Sequence, residues 1–289
     1  MNTQTLFLSC SFVLTSNLTA QIQSNFNQKI RPLYELGGGL SIFRIPNYPG
    51  SKKSTTRTLP FPFAVYRGDF LRSDEEGTRA RLLYTEDYET GLSMGFNFPV
   101  NSNENDARKG MDDLDAIFEF GPKFLFRFFS DSKYHKLNLS LALRSAFAIN
   151  LNPEMRFTGF TAEPEISYWR NFDLALPTTL FLSSELKIAD AKFNNYFYGV
   201  EERDETDSRP RYEATQGPID LTTSIGLSVE INKKSQVFAG YFYSDYSRSV
   251  NKKSPLLERN YNMGFVIGFM SLFYESDEVV DVYRSNKKY

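Results

Sequence analysis

The sequence predicts an all-β protein, a single transmembrane antiparallel β-barrel of about twelve strands. Three observations predict this fold. Long stretches of the chain alternate between apolar and polar residues, the polar faces carry charges of both signs, and short connections alternate with long ones.

The alternation is clearest in residues 219–231, where apolar side chains occupy the odd positions and mostly polar ones the even positions. Residues 117–129, 137–150 and 261–274 repeat the pattern, and the last of these has a bulky apolar face and a slimmer one. Successive residues of a strand point to opposite faces, so each stretch is an amphipathic strand. Strands this long favour tilted membrane strands over soluble ones, which average about five or six residues. We therefore expect the bulky face of 261–274 to meet lipid.

Twelve strands are predicted, with ten as the alternative because the third and fourth are poorly marked. They are placed near 33–45, 58–66, 69–73, 78–85, 90–98, 116–129, 136–150, 157–170, 176–188, 218–231, 236–247 and 261–274.

Charged residues lie in mid-strand on the polar faces of several predicted strands. Burying unpaired charge in a two-sheet core is too costly, so a barrel lumen is the favoured environment. A lumen braced by ion pairs and a polar conduit for small solutes both remain open at this point. The charged residues predicted to face the lumen are Glu35, Arg79, Arg81, Glu119, Lys123, Arg127, Arg144, Glu163, Glu165, Glu185, Lys187, Asp220 and Glu230.

The connections between predicted strands alternate in length. Short ones such as "RG", "TEDY", "SDSKYH", "NFDLA" and "NKKS" are typical of periplasmic turns, and the long ones between them are typical of outer loops. We expect the acidic stretch 101–115 to be a solvated outer loop. The aromatic "FNNYFYGV" in the longest loop is interpreted either as a ligand or adhesion surface or as a plug over the barrel mouth.

The ends of the chain are predicted to lie outside the barrel. Residues 1–20 resemble a signal peptide, with Cys10 inside it, so neither disulfides nor thiol catalysis are expected after its removal. The predicted segments are a signal peptide at 1–20, a periplasmic segment at 21–32, the barrel at 33–275 and a C-terminal tail at 276–289. The localisation predicted is the outer membrane of a Gram-negative bacterium.

Catalysis is not expected. His135 is the only histidine and lies in a predicted turn, so a Ser–His hydrolase has no base at strand depth. The chain offers no Cys or His set for a metal, and no cofactor is predicted. The 33 basic and 35 acidic residues nearly cancel, which speaks against a nucleic-acid partner.

Four stretches, in order, resemble the MipA/OmpV family of outer-membrane proteins. They are "LGGGLSIFRIPNYPGS", "LPFPFAVYRGDF", "NYFYGVEERDETDSRPRYEATQGPIDLTTSIGLSVEI" and "YSDYSRSVNKKSPLLERNYNMGFVIGF". The loop residues that carry this resemblance are Tyr48, Pro49, Gly50, Ser51, Tyr198, Gly199, Ser254 and Pro255.

The resemblance implies a non-enzymatic barrel with a structural or scaffolding role. Some family members are described as scaffolds between a murein transglycosylase and a peptidoglycan synthase, which would meet this chain on its periplasmic side. Two alternatives are a small-solute channel and a surface adhesin acting through the long loops. Outer-membrane lipid is the expected surrounding, and a monomeric barrel is expected.

Overall fold

The computed structural model describes residues 30–68, 71–74, 77–85, 87–129, 134–150 and 154–281. Side chains at 71–74, 77–81 and 84 lie outside this description. The predicted signal peptide at 1–20, most of the predicted segment 21–32 and residues 282–289 of the predicted tail also lie outside it.

The all-β prediction is confirmed. The described chain contains fourteen strands and one short α-helix, α1 (Ala191–Tyr198). The strands are β1 (Ile30–Pro32), β2 (Tyr34–Pro46), β3 (Ser54–Arg67), β4 (Leu71–Asp74), β5 (Gly77–Tyr84), β6 (Tyr88–Asn97), β7 (Ala116–Phe128), β8 (His135–Ile149), β9 (Met155–Phe172), β10 (Thr178–Ala189), β11 (Gly217–Asn232), β12 (Ser235–Asp245), β13 (Tyr261–Glu275) and β14 (Val279–Asp281).

Strands β2 to β13 pair antiparallel in chain order, and β13 also pairs with β2, so the sheet returns on itself as a barrel. Each overlaps one of the predicted strands. The poorly marked third strand is β4, which is only four residues long and pairs with β3 over two residues. No helix in the described part of the chain is long and apolar enough to cross a membrane.

Alternation along the strands sorts side chains to the outside and the inside of the barrel. On β13, Phe265, Ile267 and Phe269 are exposed, whereas Val266 and Met270, at alternate positions, are buried. Exposed leucines, isoleucines and aromatics recur on β2, β6, β8 and β11, so the barrel presents an apolar outer wall. This is the face that the sequence assigned to lipid.

The inside of the barrel has two halves of different chemistry. The half formed by β2, β3, β12 and β13 holds a cluster of buried apolar side chains, and the half formed by β6 to β10 holds ion pairs. We call these the apolar half and the polar half. The apolar cluster contains Phe43, Phe61, Val266, Phe238 and Met270, with Ile45, Leu59, Phe63 and Phe98 packed against it.

Glycines make room for the rings of the apolar half. Gly39 is the register partner of Phe61 on the neighbouring strand, and Gly268 is the partner of Phe238. A Cβ on Gly39 would lie 2.6 Å from Phe61 Cζ and 2.5 Å from the Phe269 carbonyl oxygen. The rings therefore cover glycine backbone, and the side chain of a larger residue at these positions would clash with them.

The two ends of the described chain meet below the barrel. Strand β1 pairs with β14 in a two-stranded ribbon, which includes part of the predicted C-terminal tail. The ribbon is tied to the wall because Leu33 N donates to Glu278 O at 2.8 Å and Arg67 N donates to Leu33 O at 2.8 Å. The segment 276–281 is thus built into this end of the molecule.

Candidate functional site in the barrel lumen

The polar half of the lumen is organised around Lys187. Its ammonium lies 2.9 Å from Glu119 Oε1 and 2.9 Å from Glu163 Oε1. Lys187 projects from β10 and Glu119 from β7, with β8 and β9 between them in the barrel, so the contact reaches across strands that are not neighbours. A second cation, the Arg144 guanidinium, also pairs with Glu163.

Glu119 is 1% exposed, and both its oxygens are satisfied. Besides Lys187, Oε1 accepts a hydrogen bond from Asn97 Nδ2 at 3.1 Å, and Oε2 accepts one from Thr161 Oγ1 at 2.8 Å. A buried carboxylate is tolerated only when cations and hydrogen bonds replace water around it. Glu119 meets that condition through three elements of the wall.

Further pairs extend the network below this centre. Lys123 lies 3.7 Å from Glu165, and the Arg127 guanidinium lies 2.6 Å from Glu89. On the opposite wall, Arg67 Nη2 donates to Glu35 at 2.7 Å and Arg67 Nη1 donates to the Pro32 carbonyl at 2.9 Å. The network therefore braces the lumen from its middle to the end that carries the β1–β14 ribbon.

The structure brings most of the predicted lumen charges together inside the barrel. Glu35, Glu119, Lys123, Arg127, Arg144, Glu163, Glu165 and Lys187 form ion pairs there. Glu185 and Asp220 line a cavity above the network, and Glu230 lines a cavity below it. Arg79 and Arg81 lie on β5, where side chains are outside the described part.

Two partners in the network were missed from sequence. Glu89 lies one residue before the predicted start of its strand, although it has the inward parity of that strand. Arg67 was assigned to a turn, but it is the last residue of β3 and is buried. Extending each alternating pattern by one residue would have found both.

The long loops pack over the barrel mouth as one body. We call it the loop cap and define it as residues 47–53, 98–115, 190–216 and 246–260. Its core is a cluster of buried apolar residues from all four loops and the adjoining strand ends, namely Tyr48, Val100, Leu114, Ile117, Ala146, Ala148, Ala189, Phe193, Phe197, Tyr198, Ala214, Ile219 and Tyr246. Of the two interpretations of "FNNYFYGV", this packing favours the plug.

The family-motif residues lie within the loop cap and join its loops. Tyr48 Oη donates to the Leu256 carbonyl at 2.9 Å, and Ser254 Oγ donates to the Tyr198 carbonyl at 2.7 Å. Gly50 N donates to Asn262 Oδ1 at 2.7 Å. Gly50 has φ +84°, a conformation that glycine adopts without steric cost.

The other motif residues support these contacts. Ser51 O accepts a hydrogen bond from Asn262 Nδ2 at 2.8 Å, and Gly199 ends α1 by donating its N–H to Asn195 O at 2.9 Å. Pro49 lines the cavity beneath the cap, and Pro255 follows Ser254 in the same loop.

The expectation that residues 101–115 form a solvated loop is wrong for four of its members, because Ser102, Asn105, Arg108 and Leu114 are buried. Arg108 Nε donates to Ser102 Oγ at 3.1 Å, and Nη1 donates to the Phe197 carbonyl at 3.1 Å. Arg209 adds a parallel clamp by donating to the carbonyls of Ala107 and Lys109, each at 3.1 Å. Guanidinium groups thus join the second loop to the third.

Burial sets the ionisation of the cap. It lowers the pKa of Arg108, partly offset by the neighbouring Tyr48 hydroxyl. Burial raises the pKa of the Tyr198 hydroxyl well above its ordinary value, and it raises the pKa of Tyr196 to about 12. The hydroxyls of Tyr196 and Tyr198 are therefore neutral at ordinary pH.

The described residues line two separate cavities inside the barrel. The upper one, about 280 Å³, lies between the loop cap and the ion pairs and is lined by Phe193, Phe197, Glu185 and Asp220 among others. The lower one, about 230 Å³, is lined by Arg31, Glu35, Glu230 and Lys234 among others. No group of His, Cys, Asp and Glu side chains in the described ranges is arranged to hold a metal ion.

The model of a family described as "MltA-interacting protein MipA" matches residues 38–273 of the chain. No curated protein is significantly similar to it in sequence.

Several solved barrels are similar in shape at low sequence identity. A bacterial polysaccharide outer-membrane secretin has 10% identity and a TM-score of 0.41, covering 84% of this chain and 99% of its own. The NanC porin has 9% identity and a TM-score of 0.36, covering 83% and 100%. OmpT of Vibrio cholerae has 10% identity and a TM-score of 0.37, covering 85% and 98%. Similarity at this level carries no inference about activity or ligand.

Proposed function

Because the chain belongs to the MltA-interacting protein MipA family, we propose that it is a non-enzymatic outer-membrane barrel with a scaffolding role. In this proposal the barrel anchors a murein transglycosylase, or a peptidoglycan synthase, at the periplasmic face of the membrane. The observation that carries the structural part of the proposal is the lumen, which is occupied by ion pairs and aromatic rings and covered by the loop cap.

The apolar outer wall supports a membrane location. Exposed side chains such as Ile267, Ile225 and Leu139 would be costly in water, and their strands alternate with inward polar groups. In a membrane-spanning barrel the backbone groups pair with neighbouring strands, and the β13–β2 ladder supplies this pairing where the last long strand meets the first.

The connections support an orientation. The loop cap holds the long connections and would lie outside the cell, whereas the short turns and the β1–β14 ribbon would lie in the periplasm. This places Lys233 and Lys234, which are exposed in the turn between β11 and β12, on the same side as the ribbon. We propose that partner enzymes bind this end.

The interior argues against the small-solute channel. Lys187 and Glu119 are joined across the lumen, and Phe43 stacks on Phe98 with ring centroids 6.1 Å apart in the other half. A conducting pore would need a continuous hydrated path, and a selective one usually carries one sign of charge. Here opposite charges neutralise each other in contact.

The buried aromatics argue against the adhesin alternative in the form predicted from "FNNYFYGV". Phe193, Phe197 and Tyr198 face the core of the loop cap and are not available to a partner at the surface.

Site-specific photo-crosslinking would test the proposal. A photoreactive residue placed at Lys234 or Val279 should crosslink to a purified murein transglycosylase or peptidoglycan synthase, while one at Lys253 in the loop cap should not. All three positions are exposed, so reactivity is matched. Crosslinks from Lys253 alone, or from none of the positions with a folded barrel, would contradict the proposed role.

A further inference from the structure

A groove on the outer wall of the barrel is distinct from the lumen and the loop cap. It encloses about 790 Å³, within the range of pockets that hold small ligands. Its walls are the outward side chains of Leu92, Phe120, Leu143, Phe160 and Ile188, and its floor includes the small outward residues Ser145 and Ala162.

The groove lies beside an interruption of the strand ladder. Bridges between β7 and β8 are missing between Phe120–Ser145 and Lys123–Ala142, although the register is the same on both sides. Pro122, in this gap, has no N–H to donate to the ladder. The neighbouring strand β9 contributes Ala162 rather than a bulky side chain, so a depression runs between Phe120 and Phe160.

The groove runs from the cap end of the wall toward its middle. Asp190 and Gly217, at the base of the loop cap, line one end. Phe120 lies four residues from the cap-side end of β7 at Ala116, which corresponds to roughly 13 Å of strand at about 3.3 Å per residue. Half of a hydrocarbon core about 30 Å thick has a similar depth. The groove therefore matches the acyl region of one leaflet.

A cation lies at the cap end of the groove. Lys192 is exposed, and its ammonium is 4.6 Å from the centroid of the Phe157 ring. Phe157 in turn packs on Phe160 of the groove wall, with ring centroids 5.0 Å apart. The Asp190 carboxylate also lines this end of the groove, and its Oδ1 accepts a hydrogen bond from Phe193 N at 2.8 Å at the start of α1.

We propose that this groove binds one lipopolysaccharide molecule of the outer leaflet, with an acyl chain between Phe120 and Phe160 and a phosphate of its lipid A against Lys192. The inference rests on the proposed membrane location but not on the scaffolding role. The apolar groove would bind an acyl chain, and the Lys192 ammonium would bind one phosphate. A neutral or zwitterionic headgroup would gain less binding free energy from the lysine.

Native mass spectrometry of the detergent-purified full-length barrel tests this directly. The protein is mixed with lipid A and with dephosphorylated lipid A that carries identical acyl chains, and the retained lipid is counted. We expect one phosphorylated lipid A to be retained several-fold over the dephosphorylated form. K192E should abolish that preference, whereas K253E, a charge reversal at another exposed lysine of the cap, should leave it unchanged.

The groove itself is tested by filling it. A162F should reduce retention of both lipids by several-fold, whereas V237F, which adds the same ring to the outer wall on β12, should have no such effect. S145L fills the same groove and replaces A162F if that variant does not show the heat-modifiable gel mobility of a folded barrel. Unchanged lipid retention in the folded groove variants, or unchanged preference in K192E, would overturn the inference.

The outcome is separable from the scaffolding role. Loss of lipid retention with partner crosslinking intact would uphold the groove alone. Loss of crosslinking with lipid retention intact would reject the scaffold and leave the groove.

Discussion

The polar and apolar halves of the lumen fill the same barrel by opposite means. In the polar half, Lys187 holds Glu119 and Glu163 at 2.9 Å each, so the interior is filled by charges that satisfy one another. In the apolar half, Phe61 and Phe238 lie over Gly39 and Gly268, so the interior is filled by rings that fit against bare backbone. A barrel lumen can therefore be filled by ion pairs or by aromatic rings. A different kind of substitution is expected to destabilise each half.

The largest effect is expected at the centre of the polar half. K187A removes the cation shared by two buried carboxylates, and breaking a buried pair by removing one partner costs about 3–5 kcal/mol. We expect the free energy of unfolding, measured by urea titration with gel mobility as the readout, to fall by about that amount.

The matched control is K253A, because Lys253 is exposed in the loop cap. Surface substitutions of this kind usually change stability by less than about 0.5 kcal/mol. A K187A variant as stable as K253A would show that the polar half does not depend on its ion pairs.

Steric overlap should destabilise the apolar half. G39A places a Cβ 2.5 Å from the Phe269 carbonyl oxygen, and overpacking of this kind costs about 1–3 kcal/mol. G38A is its neighbour on the outward face, where a Cβ would lie 3.0 Å from Phe273 Cε2, part of an exposed ring that can move. The urea midpoint should drop for G39A and stay close to wild type for G38A, and equal midpoints would refute the packing argument.

The loop cap links the two halves from above, and the buried Arg108 side chain joins two of its loops. R108A leaves the Phe197 carbonyl and Ser102 without their guanidinium donor in a buried setting, at a cost of about 1–3 kcal/mol. We expect limited proteolysis to cut loop 190–216 several-fold faster while the strands remain resistant.

R203A is the control for the cap, since Arg203 pairs with Asp112 and Glu201 in an exposed setting. Exposed pairs contribute about 0–1 kcal/mol. Similar cleavage rates for the two variants would show that buried guanidinium contacts do not hold the cap.

A smaller effect is expected from alkaline pH. Burial raises the pKa of Tyr196 to about 12, against about 10 in the unfolded chain. The neutral hydroxyl is favoured in the folded cap, so its contribution is complete below about pH 10 and is lost as pH rises from about 10 to 12. Tyr198, whose pKa is also raised, acts in the same direction.

Ultraviolet titration of tyrosinate together with urea midpoints across this range would check the effect. Y198F should remove part of the late-titrating absorbance. Stability that stays constant between about pH 9 and 12 would contradict the assignment of these hydroxyls to the cap core.

The sequence predicted the strands and the polar half well because both follow from a period of two. Glu119, Glu163 and Lys187 face inward by parity alone, but their mutual pairing depends on the order of strands around the barrel, which no local pattern encodes. The apolar half was not predicted, because it is defined by contacts between residues of neighbouring strands and not by a pattern within one strand. Gly39 explains Phe61 only when the register that brings them together is known.

The loop cap shows the same limit more strongly. The motif residues Tyr48, Tyr198 and Ser254 were selected by resemblance, and the structure brings them together through contacts between loops far apart in sequence. Arg108 looked like one charge in a solvated acidic loop. The Arg108 side chain is buried because α1 lies beside it. No periodicity within residues 101–115 indicates that α1 is its neighbour.

Conductance of the refolded barrel in planar lipid bilayers tests the central claim most directly, namely that the lumen is closed by its two halves and its cap. Heat-modifiable gel mobility first establishes that the barrel is folded. We expect a folded wild-type barrel without unitary current steps. Regular steps of defined size from that same folded barrel would mean an open path past Lys187 and Phe61, and would contradict the claim.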